Sequence, residues 1–202
     1  METISQAEYL ALKEGAKVLE ADPWGEKVLR LADGTILKLF RRKRWFSSAT
    51  LYPYAKRFVA NAKALARLGI PVPGILRIVR IPSIGRDAVH YAPLAGETLR
   101  ELVRAGLDPA HEVVLKAAFT RFVIGLHDNG VYFRSLHIGN VVCTPEGKLG
   151  LIDFSDLRIH PWSLGRYSRA RNMRRMAGIR EEADWLDLGS ILAGKLRAAE
   201  SP

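Results

Sequence analysis

Apolar and polar residues alternate along "AKVLEADPWGEKVLRLADGTILKLF", residues 16 to 40, and the pattern predicts three short strands. Pro23-Trp24-Gly25 and Asp33-Gly34 punctuate them as turns, the second being a strong hairpin signal. In the third strand, Thr35 to Phe40, alternation puts Ile36 and Lys38 on one face and Leu37 and Leu39 on the other. The period then changes. Phe58, Ala62, Leu65 and Leu68 recur at helical spacing, which predicts a helix from about Pro53 to Leu68. Gly69 stops it, and "IPVP" cannot continue it. Residues 75 to 81 and 87 to 92 read as two further strands.

The second half is governed by the helical period. "PLAGETLRELV" leaves the sheet, with Thr98 as the cap of a short helix. From Asp108 to Asn129 runs the best-marked helix, with Asp108 as cap and Pro109 in first position. Val113, Leu115, Phe119, Phe122, Val123 and Leu126 give it a broad apolar face. After Asn129-Gly130 come a loop, a strand from Asn140 to Cys143, a turn at Pro145-Glu146-Gly147 and the strand "KLGLIDF". From about Leu157 the chain is arginine-rich and partly helical. No internal repeat or low-complexity linker interrupts it. The layout is α+β in two lobes: residues 1 to 92 form a small antiparallel sheet with one helix, and residues 93 to 202 are mainly helical, with a short hairpin carrying polar residues.

Composition narrows the setting. The 202 residues are 48% hydrophobic and 26% charged, as in a soluble globular protein. No stretch reaches the roughly 18 apolar residues of a membrane span, and the N-terminus lacks a signal-peptide pattern, so the expected place is the cytoplasm. The single cysteine, Cys143, flanked by Val142, reads as a buried, inert thiol. The net charge of +10 favours an anionic partner: phosphate, nucleic acid or an acidic membrane surface.

The candidate chemistry lies around "VYFRSLHIGNVV", residues 131 to 142. Asn140 and Asp153 end two strands joined by a tight turn, which brings two oxygen donors together, a set that suits Mg²⁺. Lys38 could hold nucleotide α- and β-phosphates. Each residue alone has a plainer alternative. Lys38 lies on a solvated face, Asp153 caps a turn, Asn140 satisfies loop backbone, and His137 is a core histidine.

A lysine strand, a polar loop, an asparagine and then Asp-Phe, in this order, resemble the protein-kinase-like fold. The chain is similar above all to the lipopolysaccharide core heptose and Kdo kinases and the aminoglycoside-phosphotransferase-like group. "GIPVP" and "YAPLAGETL" carry the same likeness, which spans roughly residues 16 to 160. The resemblance implies ATP and Mg²⁺ as cofactors and γ-phosphoryl transfer to a sugar hydroxyl. Lys38 would hold phosphates, Asn140 and Asp153 the metal, and the backbone of Tyr91, Ala92 and Leu94 the adenine edge. The family's catalytic Asp falls at Ser135, flanked by Arg134 and His137, and Asp156 or His137 could stand in for it. There is no glycine-rich phosphate loop, and the helix glutamate expected to pair with the lysine has only Asn61 in its place. With Ser135 in the base slot, a pseudokinase scaffold that binds nucleotide or an anionic partner without turnover is the alternative.

Between Leu157 and Ile179 there is no acidic residue, while Arg158, Arg166, Arg169, Arg171, Arg174 and Arg175 crowd in with Trp162 and Tyr167. In a helix, Arg171, Arg174 and Arg175 share a face, an arrangement that suits phosphate. "RRKR" at 41 to 44, followed by Trp45 and Phe46, adds a second basic run. Lipopolysaccharide core at the inner membrane face, with contact to anionic lipid, is the expected partner, and RNA is the less favoured one.

Overall fold

The computed structural model describes residues 1–41 and 53–195, so Arg42, Lys43, Arg44, Trp45 and Phe46 lie outside it. The architecture is α+β, and the chain divides into two compact units. Unit 1 comprises residues 1–67 and 72–94, and unit 2 residues 68–71 and 95–202.

Unit 1 is built on a six-stranded sheet in the order β1-β5-β6-β4-β3-β2. Its strands are β1 (Glu2–Thr3), β2 (Lys17–Asp22), β3 (Gly25–Arg30), β4 (Ile36–Arg41), β5 (Gly74–Ile81) and β6 (Arg86–Ala92). The sheet is mixed rather than antiparallel, because β1 pairs parallel with β5. Among the described residues two helices pack on it, where one was expected. The additional helix, α1 (Gln6–Lys13), starts at a capping box: Ser5 Oγ accepts from Glu8 N at 3.2 Å, and Glu8 Oε2 accepts from Ser5 N at 2.6 Å. Tyr9 of α1 joins Ile4, Leu29, Leu37, Leu39 and Ile81 in one buried cluster on one sheet face. The other face belongs to α2 (Tyr54–Arg67), whose Phe58 ring lies 6.0 Å from Phe40 and 5.6 Å from Tyr91, centroid to centroid. Burying Phe58 contributes about 1.5–3 kcal/mol.

Unit 2 holds more strand than expected. β7 (Glu97–Thr98), β9 (Val141–Cys143) and β10 (Leu149–Leu151) form one small sheet, and β8 (Val131–Phe133) with β11 (Leu157–Ile159) forms another. Its helices are α3 (Leu99–Ala105), α4 (Pro109–Asp128), α5 (Arg166–Ala177) and α6 (Leu188–Ala193). Thr98 and Glu101 make the capping box of α3, and Asp108 accepts from His111 N to cap α4. The buried stripe of α4 is narrower than its composition suggested: Leu115, Phe119, Val123 and Leu126 are inside, and Val113 is exposed. At about 100° per residue, Val113 stands about 200° round the helix from Leu115. Phe119 meets the buried Trp185 edge-on at 6.2 Å between centroids. Cys143 is half-buried rather than buried, and desolvation pushes its thiol above the ordinary value, which keeps it protonated and inert at neutral pH. Among the described residues no helix is long and apolar enough to cross a membrane.

His127 of α4 gives this unit a pH dependence. It is fully buried, and its Nε2–H donates to Asn172 Oδ1 at 3.0 Å, while Nδ1 is buried with no partner among the described residues. Burial pushes its pKa down to about 4, because a second N–H would have nowhere to donate. The unfolded chain binds this proton below about pH 6.5 and the folded chain only near pH 4, so stability is lost as pH falls between them. The expected loss from pH 7.5 to 5 is about 2 kcal/mol in urea melts. A His127→Gln variant should show a flatter profile over that range. An equally steep one would assign the slope to other groups.

Candidate functional site

The loop after β8 is laid down by a side chain from α5. Asn172 donates from Nδ2 to Phe133 O at 2.6 Å and accepts at Oδ1 from Phe133 N at 3.3 Å, taking the place of a neighbouring strand. Leu136 and Ile138 are buried and anchor the loop from below. Ser135 and His137, between and beside them, are half-buried.

Ser135 occupies the centre of a polar cluster. Its Oγ–H donates to Asp156 Oδ2 at 2.6 Å, and Arg175 Nη1 of α5 donates to Ser135 Oγ at 3.0 Å. Arg134 Nε donates to the same Asp156 Oδ2 at 3.3 Å. Asp156 Oδ1 is buried and has no hydrogen-bond partner among the described residues. A carboxylate is thus held against the serine hydroxyl, with one acceptor oxygen unused and two guanidinium groups alongside. Four sequence candidates, Arg134, Ser135, Asp156 and Arg175, come together here.

Asn140 belongs to the same loop. It is buried, and its Nδ2 donates to Ser135 O at 2.9 Å, which leaves Oδ1 as its acceptor atom. The hairpin β9–β10 then continues one step, Ile152 N donating to Asn140 O at 3.0 Å, and delivers Asp153 next in the chain. Asp153 is exposed and has φ 52°, the only non-glycine residue with positive φ among the described residues. Aspartate tolerates that region better than most residues, at a cost of order 1 kcal/mol, and such strain collects at functional positions. Asn140 Oδ1 and the Asp153 carboxylate are hard oxygen donors, and Mg²⁺ needs only one or two from the protein, so the pair fits that metal. No cluster of three or more His, Cys, Asp or Glu groups able to hold a metal exists among the described residues.

His137 plays a supporting part. Its Nδ1 accepts from Gly139 N at 3.1 Å and faces Arg100 Nη2 at 3.1 Å. Two donors on Nδ1 put the ring proton on Nε2. Burial, then the Arg100 charge, holds its pKa below the ordinary value, so the ring is neutral at pH 7. Arg100 in turn donates from Nε to Glu182 Oε1 at 2.9 Å, with Nη2 on the same oxygen, and Glu182 Oε2 accepts from Ile138 N at 3.2 Å. A Cβ on Gly139 would lie 2.6 Å from the Arg100 guanidinium, so the glycine makes room for this clasp. Arg100 and Glu182 were missed in the sequence: they stand 82 residues apart, and nothing local pairs them.

Lys38 and the remaining candidates lie in unit 1. Lys38 is half-buried on the α2 face of β4, its ammonium 5.8 Å from the Phe58 ring centroid and its register neighbours Val28 and Val89. Tyr91 and Ala92 close β6, and Leu94 follows, all half-buried. The β2–β3 turn, where a glycine-rich loop was missing, is pinned. The buried Arg86 donates to Trp24 O at 2.6 Å and Glu26 O at 3.0 Å, and Arg41 stacks on Trp24 at 4.2 Å.

The arginine-rich segment divides. Arg169 is structural: it is buried, donates to Leu164 O at 2.7 Å and Ile191 O at 3.2 Å, and pairs with Asp128 at 2.5 Å. Arg175 joins the Ser135 cluster. Arg171 and Arg174 are exposed and pair with no carboxylate among the described residues. No protein-family model matches the chain, and no curated protein is significantly similar to it.

Proposed function

We propose that this protein is an ATP-dependent phosphotransferase of the two-lobed protein-kinase-like class, acting on a sugar hydroxyl, with lipopolysaccharide inner core as the acceptor class. The hydrogen bond between Ser135 and Asp156 carries the reading. It supports a catalytic carboxylate that has moved from the loop to a position three residues beyond Asp153 without leaving the loop's side. In the reaction the acceptor hydroxyl oxygen attacks the γ-phosphorus, the bond to ADP breaks, and the proton passes to Asp156. Ser135 and Arg134 orient that carboxylate. Asn140 and Asp153 would hold Mg²⁺, whose chemistry there would be to neutralise charge on the phosphates. Within unit 1, Lys38 would serve phosphates and the backbone from Tyr91 to Leu94 the adenine edge, as the resemblance implies.

Calorimetry with ATP, in Mg²⁺ and in EDTA, tests the reading. Asp153→Asn and Asp153→Gly both keep the left-handed backbone at ease, so the fold should survive in both. Both are expected to weaken magnesium-dependent ATP binding about tenfold or more. Unchanged binding in both variants, or no magnesium-dependent binding by the native chain, would overturn it and leave the scaffold alternative.

A further inference from the structure

The stripe of α5 opposite its buried side is unlike an ordinary solvated helix face. Arg169, Asn172, Met173 and Met176 turn inward. Tyr167, Arg171 and Arg174 follow at i, i+4 and i+7 on the outward side, where Tyr167 is 76% exposed. The helix has no acidic residue to relieve its arginines, and Arg171 and Arg174, at i and i+3, repel each other. Trp162, 67% exposed, stands in the segment leading into α5. Beside the stripe, between α5 and α6, runs a groove of about 240 Å³. Ala170, Met173, Ala177, Leu188 and Leu192 line it, with Tyr167, Arg171 and Arg174 completing its wall.

We propose that this face of unit 2 docks on an anionic lipid bilayer. Arginines meet lipid phosphates, and Tyr167 and Trp162 lie at headgroup level, where an aromatic ring with one polar atom is most stable. The apolar groove decides between polyanions. It gives an acyl or glycerol segment a place to enter beside the phosphate, whereas a nucleic-acid backbone has no use for it. The inference does not depend on phosphoryl transfer, because none of these side chains belongs to the Ser135 cluster.

Flotation with phosphatidylcholine vesicles, with and without phosphatidylglycerol, tests it on the full chain. The native protein should float only with the anionic vesicles and be released by salt, since exposed charges are screened. Arg171→Ala/Arg174→Ala is expected to lower partition about thirtyfold, at about 1 kcal/mol for each arginine near the surface. These side chains are exposed, so circular dichroism melts should match the native chain. Brominated lipid should quench the tryptophan fluorescence, and Trp162→Phe should remove that quenching. Failure to float with anionic vesicles, partition unchanged in the double variant, or single-stranded RNA bound through the same arginines by a chain that ignores vesicles would each overturn the proposal.

Discussion

Asp156→Asn is expected to slow phosphoryl transfer by about 10²- to 10⁴-fold, the range a general base contributes, and to leave Mg·ATP binding within about twofold. The asparagine keeps an acceptor for Ser135 and a similar shape, so the loss reads the carboxylate's charge and basicity rather than its packing. Ser135→Ala should do less to the rate, because the carboxylate remains, although two charge-assisted hydrogen bonds, to Asp156 and from Arg175, are lost at about 1.5–3 kcal/mol each. Ser135→Asp is the informative variant. It restores the residue the resembling enzymes carry, yet sets a second carboxylate where Ser135 Oγ now lies 2.6 Å from Asp156. Two like charges at that range cost several kcal/mol unless they share a proton, so this single change should destabilise the unit and not raise the rate. The exchange Ser135→Asp/Asp156→Ser leaves one carboxylate and one hydroxyl with their places swapped. It should recover both stability and most of the rate. A native rate in Asp156→Asn, or an exchange variant as slow as Asp156→Asn, would remove Asp156 from the chemistry.

That carboxylate was visible in the sequence only as a neighbour of Asp153. What placed it was the pairing of β8 with β11, Leu157 opposite Phe133, which folds residues 154 to 157 back over the loop. Local signals elsewhere were read correctly because their physics is local. The Asp108 cap, the Thr98 helix start and the alternation around Lys38 each depend on a few adjacent residues. The Ser5–Glu8 capping box was equally local and went unread. The parallel pairing of β1 with β5 spans more than 70 residues and leaves no such trace. The arginine run shows the limit most clearly. Arg169, Arg171 and Arg175 are two and four residues apart, yet one is buried in a clasp, one is exposed, and one reaches the serine. Composition cannot sort them, because their fates are set by Asp128, by solvent and by the loop after β8.

Arg100→Ala is expected to destabilise the protein by about 3–5 kcal/mol, the cost of leaving a buried carboxylate without its ion-pair partner. The reason is an asymmetry in the Arg100–Glu182 pair. Glu182 has 3% of its side chain exposed and Arg100 has 34%. Removing the arginine leaves a buried carboxylate with only Ile138 N as a donor among the described residues. Removing the negative charge instead, by Glu182→Gln, keeps an acceptor for Ile138 N and lets a half-exposed guanidinium turn to water. That change should cost only about 1–2 kcal/mol. Denaturant melts of the two variants decide the matter: equal costs would show that Arg100 does not hold the buried charge. The double variant Arg100→Met/Glu182→Met has no unpaired charge and should be more stable than Arg100→Ala. It also separates stability from function. His137 loses its Arg100 contact and Ile138 N loses its acceptor, so the loop that carries Ser135 and Asn140 should loosen even in a well-folded chain. Activity in the double variant should therefore fall while its melting midpoint stays near native. If activity held, the clasp would be a support for the fold alone, and the order of the Ser135 loop would rest on Asn172 and its buried leucine and isoleucine.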